Sequence, residues 1–246
     1  MCGCSSGSAS RWRGAASRND RVSEDGAALR AEIGRTVCAR LLADPRAMRI
    51  PSATLEIFVA RDFLNAAENK ALVRLIDAQR IPSQLLSPTT DPEFRTSESC
   101  NLNPDHPMVR QVEAKISDLT GIDPPLGETI QGQRYAVGQQ FKAHHDFFYR
   151  DQPYWEAMEA SGGQRTWTAM IFLNVPEEGG QTAFPAAGVK VTPRAGNLLI
   201  WNNMDAEGQP SPYSIHQGMP VLSGVKYIVT KWHRERPWSA TPLTTY

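Results

Sequence analysis

Five short runs decide the architecture: Thr166-Trp-Thr-Ala-Met-Ile-Phe-Leu-Asn-Val175, Val189-Lys-Val-Thr192, Asn197-Leu-Leu-Ile-Trp201, Tyr213-Ser-Ile-His216 and Lys226-Tyr-Ile-Val-Thr-Lys-Trp232. They are rich in β-branched and aromatic residues. Gly179-Gly180, Pro193 to Gly196 and Ser223-Gly224 separate them as turns. Short strands at this spacing predict an antiparallel β sandwich or barrel. Residues 164–233 hold nine charges in 70 positions, well below the 21% of the whole chain, as a buried β core requires.

Upstream of this core the period changes from two to about four. Leu29, Ile33, Val37 and Leu41 predict a helix over 23–44, which Asp44-Pro45 ends. Leu55 to Val59 predicts a strand. A second helix over 65–78 starts at Asn65, whose spacing to Glu68 is that of a capping box, and carries Leu72, Leu75 and Ile76. A third runs from Pro107 through Met108, Val112, Ile116 and Leu119 to Gly121. His106, just before it, reads as a local cap. Residues 1–22 contain eleven Gly, Ser or Ala and four Arg against one Asp, a composition expected to stay disordered. The expected division is a tail (1–22), a helix and linker (23–46), a helical and strand support region (47–126), a core (127–238) and a C-terminal tail (239–246).

With 26 basic and 26 acidic residues in 246, the net charge is zero, which argues against a dedicated nucleic-acid partner. No apolar run is long enough to span a membrane, so no membrane partner is expected. The N-terminus has no apolar signal segment. The cysteines Cys2, Cys4, Cys38 and Cys100 form no disulfide framework, and a reducing cytoplasmic location is the expectation. Cys2-Gly3-Cys4 reads as part of the tail in preference to a metal site or a lipid anchor, because no histidine or second Cys pair lies nearby.

The chemistry centres on three residues. His144-His145-Asp146 is an H-x-D, in which residues i and i+2 of an extended chain point the same way. By itself that is more often a surface turn. His216, at the end of a short predicted strand, adds a third ligand. Two His and one carboxylate leave coordination positions open, the pattern of non-haem Fe(II) oxygenases, and no cysteine is near enough in sequence to close a zinc site. Lys226 lies ten residues further on. Counting by twos, Lys226, Ile228, Thr230 and Trp232 share a face, and a lysine facing an apolar interior needs an anion. Parity alone leaves open whether Lys226 or Tyr227 faces inward. His233 is out of phase with Lys226 and is expected to face away. The glycines at 163, 179 and 180 lack phosphate-loop spacing and read as turns.

In these residues the chain resembles the prolyl 4-hydroxylase catalytic domain within the Fe(II)/2-oxoglutarate dioxygenases. The resemblance is carried in order by Arg95-Thr-Ser97, Glu128 to Tyr135, Tyr135-Ala-Val-Gly138 to Asp146, Gly163-Gln-Arg165 to Asn174, Gly179-Gly-Gln-Thr182-Ala-Phe-Pro185, Pro193 to Gly196, Ser214-Ile-His216 to Val221, Gly224-Val-Lys226-Tyr and Thr230 to Arg234. It covers roughly 95–238. It implies an α+β fold with a mainly β core, a double-stranded β-helix (jelly roll) with N-terminal helices packed outside one sheet. It implies iron on His144, Asp146 and His216, and 2-oxoglutarate on Lys226, with Tyr135 and Thr168 as further donors. Arg165 and Trp232 are expected to face substrate.

The implied reaction consumes 2-oxoglutarate and O2, releases succinate and CO2 and hydroxylates a substrate, with ascorbate (vitamin C) as reductant. The resemblance points to a prolyl residue in a peptide or protein as acceptor. A free amino acid or other small molecule, and a non-catalytic metal-binding module, are the alternatives. One departure stands out: Ser211 occupies the place, five residues before His216, where the family usually has Asp.

Overall fold

The computed structural model describes residues 18–87 and 89–240. Cys2 and Cys4, most of the expected N-terminal tail and residues 241–246 lie outside that range. Three longer helices come first: α1 (Arg18–Ala43), α2 (Ala66–Gln79) and α3 (Pro107–Thr120), with a short α4 (Trp155–Ala160) later. Between and after them, among the described residues, run fourteen strands: β1 (Ala47–Arg49), β2 (Ile57–Ala60), β3 (Ile81–Pro82), β4 (Glu98–Asn101), β5 (Gln131–Tyr135), β6 (Phe141–His144), β7 (Arg165–Phe172), β8 (Glu178–Gly179), β9 (Thr182–Phe184), β10 (Val189–Val191), β11 (Leu198–Asn202), β12 (His216–Gly218), β13 (Val221–Ser223) and β14 (Lys226–Arg234).

The strands form an eight-stranded sheet, ordered β1-β2-β11-β7-β14-β5-β4-β3, a four-stranded sheet, β10-β9-β12-β6, and a β13-β8 pair. Every pairing is antiparallel. Strands β1–β4, from 47–126, therefore complete the same sheet as the core strands.

Alternation along β7 shows how the layers stack. Trp167, Ala169 and Ile171 join Leu41, Leu72, Ile76, Val112 and Leu119 of the helices in one apolar cluster. Met170 and Phe172 join Phe184 and Val189 of the small sheet and Val221 in another. The large sheet is thus buried on both faces, with helices outside and the small sheet inside, so its strands read as nearly continuous apolar runs.

Local signals act as predicted at two helices. Asn65 and Glu68 form a complete capping box on α2. The His106 ring caps α3 by accepting from Met108 N, and Gly121 ends that helix in the left-handed conformation.

Three expectations are corrected. Helix α1 begins at Arg18, inside the segment expected to be disordered, because Arg18–Asp25 contains no Gly or Pro to stop it. Its buried stripe runs through Ala27, Ala31, Gly34, Val37, Cys38 and Leu41, while Leu29 is 41% exposed. A strict four-residue spacing drifts about 40° per step on a 3.6-residue helix, so Leu29 rotates away from the face that Leu41 occupies. Finally, residues 213–215 are not strand. Pro212–Ser214 is a 3₁₀ turn and pairing begins at His216, since Pro210 and Pro212 cannot donate to a ladder.

Helix α1 is tied to the far end of the chain. Buried Arg30 donates from Nε to Gly208 O at 2.6 Å and pairs through Nη1 with Glu235 Oε2 at 2.8 Å. Contact there is tight: a Cβ on Gly208 would lie 2.0 Å from Ala27 O.

Candidate active site

His144 ends β6 and His216 begins β12, and the two are register partners, which sets both rings on one face of the small sheet. The chain leaves β6 after His144, and its bend returns Asp146 to them. One ligating atom from each of the three residues lies within 4.8 Å of the others. Asp146 Oδ1 is 4.0 Å from His144 Nε2, and its Oδ2 is 3.7 Å from His216 Nε2. His145 points elsewhere, stacking 4.4 Å from Phe147.

Both ring tautomers are set by carbonyls. His144 Nδ1 is 2.8 Å from Lys142 O, and His216 Nδ1 is 2.9 Å from Ser214 O. A carbonyl only accepts, so each Nδ1 carries a proton, and Nε2 is the ring atom left to turn a lone pair to the centre. That is the state a metal-binding imidazole needs. Burial, and then neighbouring His216, push His144 down to about 3, so it stays neutral. Burial would raise Asp146, but the nearby His216 and Arg165, with the Thr168 hydrogen bond, hold it below the usual carboxylate range. The donor set fits a divalent first-row ion.

Across the same cavity stands Lys226. It is 1% exposed and has no ion-pair or hydrogen-bond partner among the described residues. Burial alone pushes its ammonium down to about 7. Its Nζ sits 5.4 Å from the Tyr135 ring and 5.6 Å from the Phe172 ring, and a Cβ on Gly180 would lie 3.2 Å from its Cδ. Parity is thereby settled: Lys226, Ile228, Thr230 and Trp232 all line this cavity, while Tyr227 packs on the helix side and His233 is buried there. Tyr135 lines the cavity too, its hydroxyl donating to Gln133 Oε1 at 2.6 Å.

Thr168 lies elsewhere than expected. It does not line the cavity; its Oγ1 bonds Asp146 Oδ2 at 2.8 Å, so its one proton is already committed. The sequence reading missed Thr182, which does line it, with a buried hydroxyl that has no hydrogen-bond partner. Trp201 Nε1 and Trp232 Nε1 are likewise buried, unpartnered donors on cavity residues. The signal for Thr182 was its two-residue spacing from Phe184 on β9.

Arg165 faces the wider groove that opens over His144 and Asp146. Its guanidinium grips Glu128 with two hydrogen bonds, of 2.6 and 2.8 Å, and lies 4.1 Å from the Trp232 ring and 4.9 Å from the Phe148 ring. Burial would raise Glu128, but Arg165 and Arg234 hold it below its ordinary range.

Comparison with known proteins agrees with this geometry. The family model described as the 2OG-Fe(II) oxygenase superfamily matches residues 130–234, and the chain belongs to that superfamily. Within it the chain is prolyl 4-hydroxylase-like, a 2-oxoglutarate-dependent dioxygenase that uses Fe(II). It is 33% identical over 199 residues to the probable prolyl 4-hydroxylase 8 of Arabidopsis thaliana, covering 71% of this chain and 67% of that one. It is 35% identical over 149 residues to the prolyl 4-hydroxylase subunit alpha-1 of Rattus norvegicus, covering 60% of this chain but only 28% of that much longer subunit. Among solved structures, the viral collagen prolyl hydroxylase of Paramecium bursaria Chlorella virus 1, in its 2OG complex, superposes with a TM-score of 0.58 at 25% identity, over 72% of this chain and 94% of the other. No helix among the described residues is long and apolar enough to cross a membrane.

Proposed function

We propose that the protein hydroxylates a prolyl residue of a peptide or protein substrate. The observation that carries this reading is a single cavity with the His144–Asp146–His216 cluster at one side and the unpartnered ammonium of Lys226 at another. A buried donor without an acceptor is costly, so the cavity is built for an anionic guest. We assign His144, Asp146 and His216 as the iron ligands. Lys226, with the Thr182 hydroxyl, receives the distal carboxylate of 2-oxoglutarate, and the Tyr135 ring walls the site. Bound iron with 2-oxoglutarate and O2 supplies the oxidation, releasing succinate and CO2 and delivering one oxygen atom to substrate.

The chain's own groups do the rest. Buried Met170, Trp201 and Ile228 keep the cavity dry. The groove above is lined by Phe148, Tyr149, Tyr154 and Trp232, rigid apolar surfaces suited to an extended peptide, and Arg165 is held at its floor by Glu128 to orient that peptide. The remaining assignments belong to the same reading: a double-stranded β-helix core over 127–238, ascorbate as reductant, and a cytoplasmic location, which the free thiols Cys38 and Cys100 favour.

The test is succinate release from 2-oxoglutarate with added Fe(II), with and without proline-containing peptides. Peptide should increase succinate release and gain one oxygen by mass. Succinate release indifferent to every such peptide, with no oxygen gained, would refute the prolyl acceptor.

A further inference from the structure

We infer that Thr168 and Asn203 are positioning residues that hold the Asp146 carboxylate in its metal-binding pose; this rests on the ligand assignment above. Asn203 is 0%, Thr168 0% and Asp146 5% exposed, so no solvent can stand in for a missing partner. Thr168 Oγ1 lies 2.8 Å from Asp146 Oδ2, and Asn203 Nδ2 lies 2.9 Å from the same Oγ1.

The direction of every proton follows from chemistry. An ionised carboxylate only accepts, so Thr168 donates to Asp146. Having spent its proton, the hydroxyl must accept from Asn203, which fixes the amide with Nδ2 toward it. Asn203 Oδ1 is left buried and unpartnered, and the orientation persists because the link to Asp146 outweighs that cost. A carboxylate turns readily about its last torsion. A fixed donor on Oδ2 sets its plane and leaves Oδ1 free of donors.

Asn203 is itself anchored by its main chain. Its N–H donates to Thr166 O at 2.8 Å, and its carbonyl accepts from Ser211 N at 2.9 Å. Ser211 opens the turn in which Ser214 Oγ donates to Ser211 O at 2.8 Å, and Ser214 O in turn receives His216 Nδ1–H. One residue therefore stands behind two ligands: its amide behind Asp146, its peptide behind His216. Substituting the Asn203 side chain cuts the first link and spares the second.

The experiment is a Co(II) titration of the full-length protein, followed by visible absorption, without 2-oxoglutarate or turnover. Thr168→Val keeps the shape and removes the hydroxyl; Thr168→Ser keeps the hydroxyl and removes a methyl. Thr168→Val should weaken Co(II) binding by roughly 10- to 100-fold, the usual effect of losing a partner behind a ligand, while Thr168→Ser stays near the parent. Adding Asn203→Ser to Thr168→Val should cost little more, because the two act in one chain. Should Thr168→Val fail to fold, Asn203→Ser alone must still weaken Co(II) binding relative to the parent. Thr168→Val binding like the parent, the reverse order of the Val and Ser variants, or fully additive losses would each overturn the relay. Asp146→Ala binding Co(II) as well as the parent would overturn the ligand assignment, and the relay with it.

Discussion

The two faces of the large sheet bury charge in opposite ways. On the helix side, Lys231 of β14 is 4% exposed and meets Glu113 of α3. Glu68 of α2 meets Lys115 of α3 at 2.6 Å. On the inner side, Glu128 meets Arg165 and Arg234 where the groove opens, but Lys226 at the other end of β14 meets no carboxylate among the described residues, only the rings of Tyr135 and Phe172. Five residues along one strand separate a paired lysine from an unpaired one. Desolvation penalises both alike, so the difference marks which face is finished and which awaits a guest. Unpartnered Thr182 of the small sheet and Trp201 and Trp232 of the large one line the same cavity as Lys226.

The largest expected effect removes the guest's anchor altogether. His216→Ala should abolish Co(II) binding in the same titration while circular dichroism stays parental; retained binding would place the ion elsewhere. Next, Lys226→Ala should raise the apparent KM for 2-oxoglutarate by roughly two orders of magnitude, since a buried charge pair loses one partner. Metal affinity should hardly move, because lysine is no ligand. The paired lysine supplies the contrast: Glu113→Gln should destabilise the fold by about 3 kcal/mol in urea titrations, yet leave that KM unchanged. If it shifted the KM instead, the two faces would not be independent.

A subtler sign belongs to pH. Lys226 is held at about 7 against an ordinary 10.5. Between those values the unfolded chain binds more protons, so stability of the ligand-free protein rises with pH. The penalty is complete below about 7 and gone above about 10.5. In Lys226→Met that rise should vanish from denaturation curves taken across the window. Smallest of all, Leu29→Ala on the exposed side of α1 should change stability by no more than about 0.5 kcal/mol.

How much of this was legible depended on whether the signal was local. The capping box at Asn65, the cap at His106 and the stop at Gly121 are chemistry within four residues, and the structure has each. The convergence of His144, Asp146 and His216 was legible only because the H-x-D is followed, in the family's order, by a later His next to a matched Gly and Pro. The facing of Lys226 was half legible: period two grouped it with Trp232, but only the packing of Tyr227 against the helices chose the side. Thr168 was misplaced because its partner Asp146 sits 22 residues away on a bend, which no periodicity reports. The strand expected over 213–216 failed against two prolines, whose missing N–H groups outweigh the β propensity of the tyrosine and isoleucine.

The Arg30–Glu235 pair sets an order of events. Its partners are 205 residues apart, and Arg30 is too deeply placed to dock without its carboxylate. During synthesis at about 5 to 20 residues per second, α1 leaves the ribosome roughly 10 to 40 seconds before Glu235 does. Through that interval its guanidinium is better off in water than against the sheet. Docking of α1 is therefore a late step, and it seals the Gly208 loop, with Asn203 at its base, only once β14 has been made.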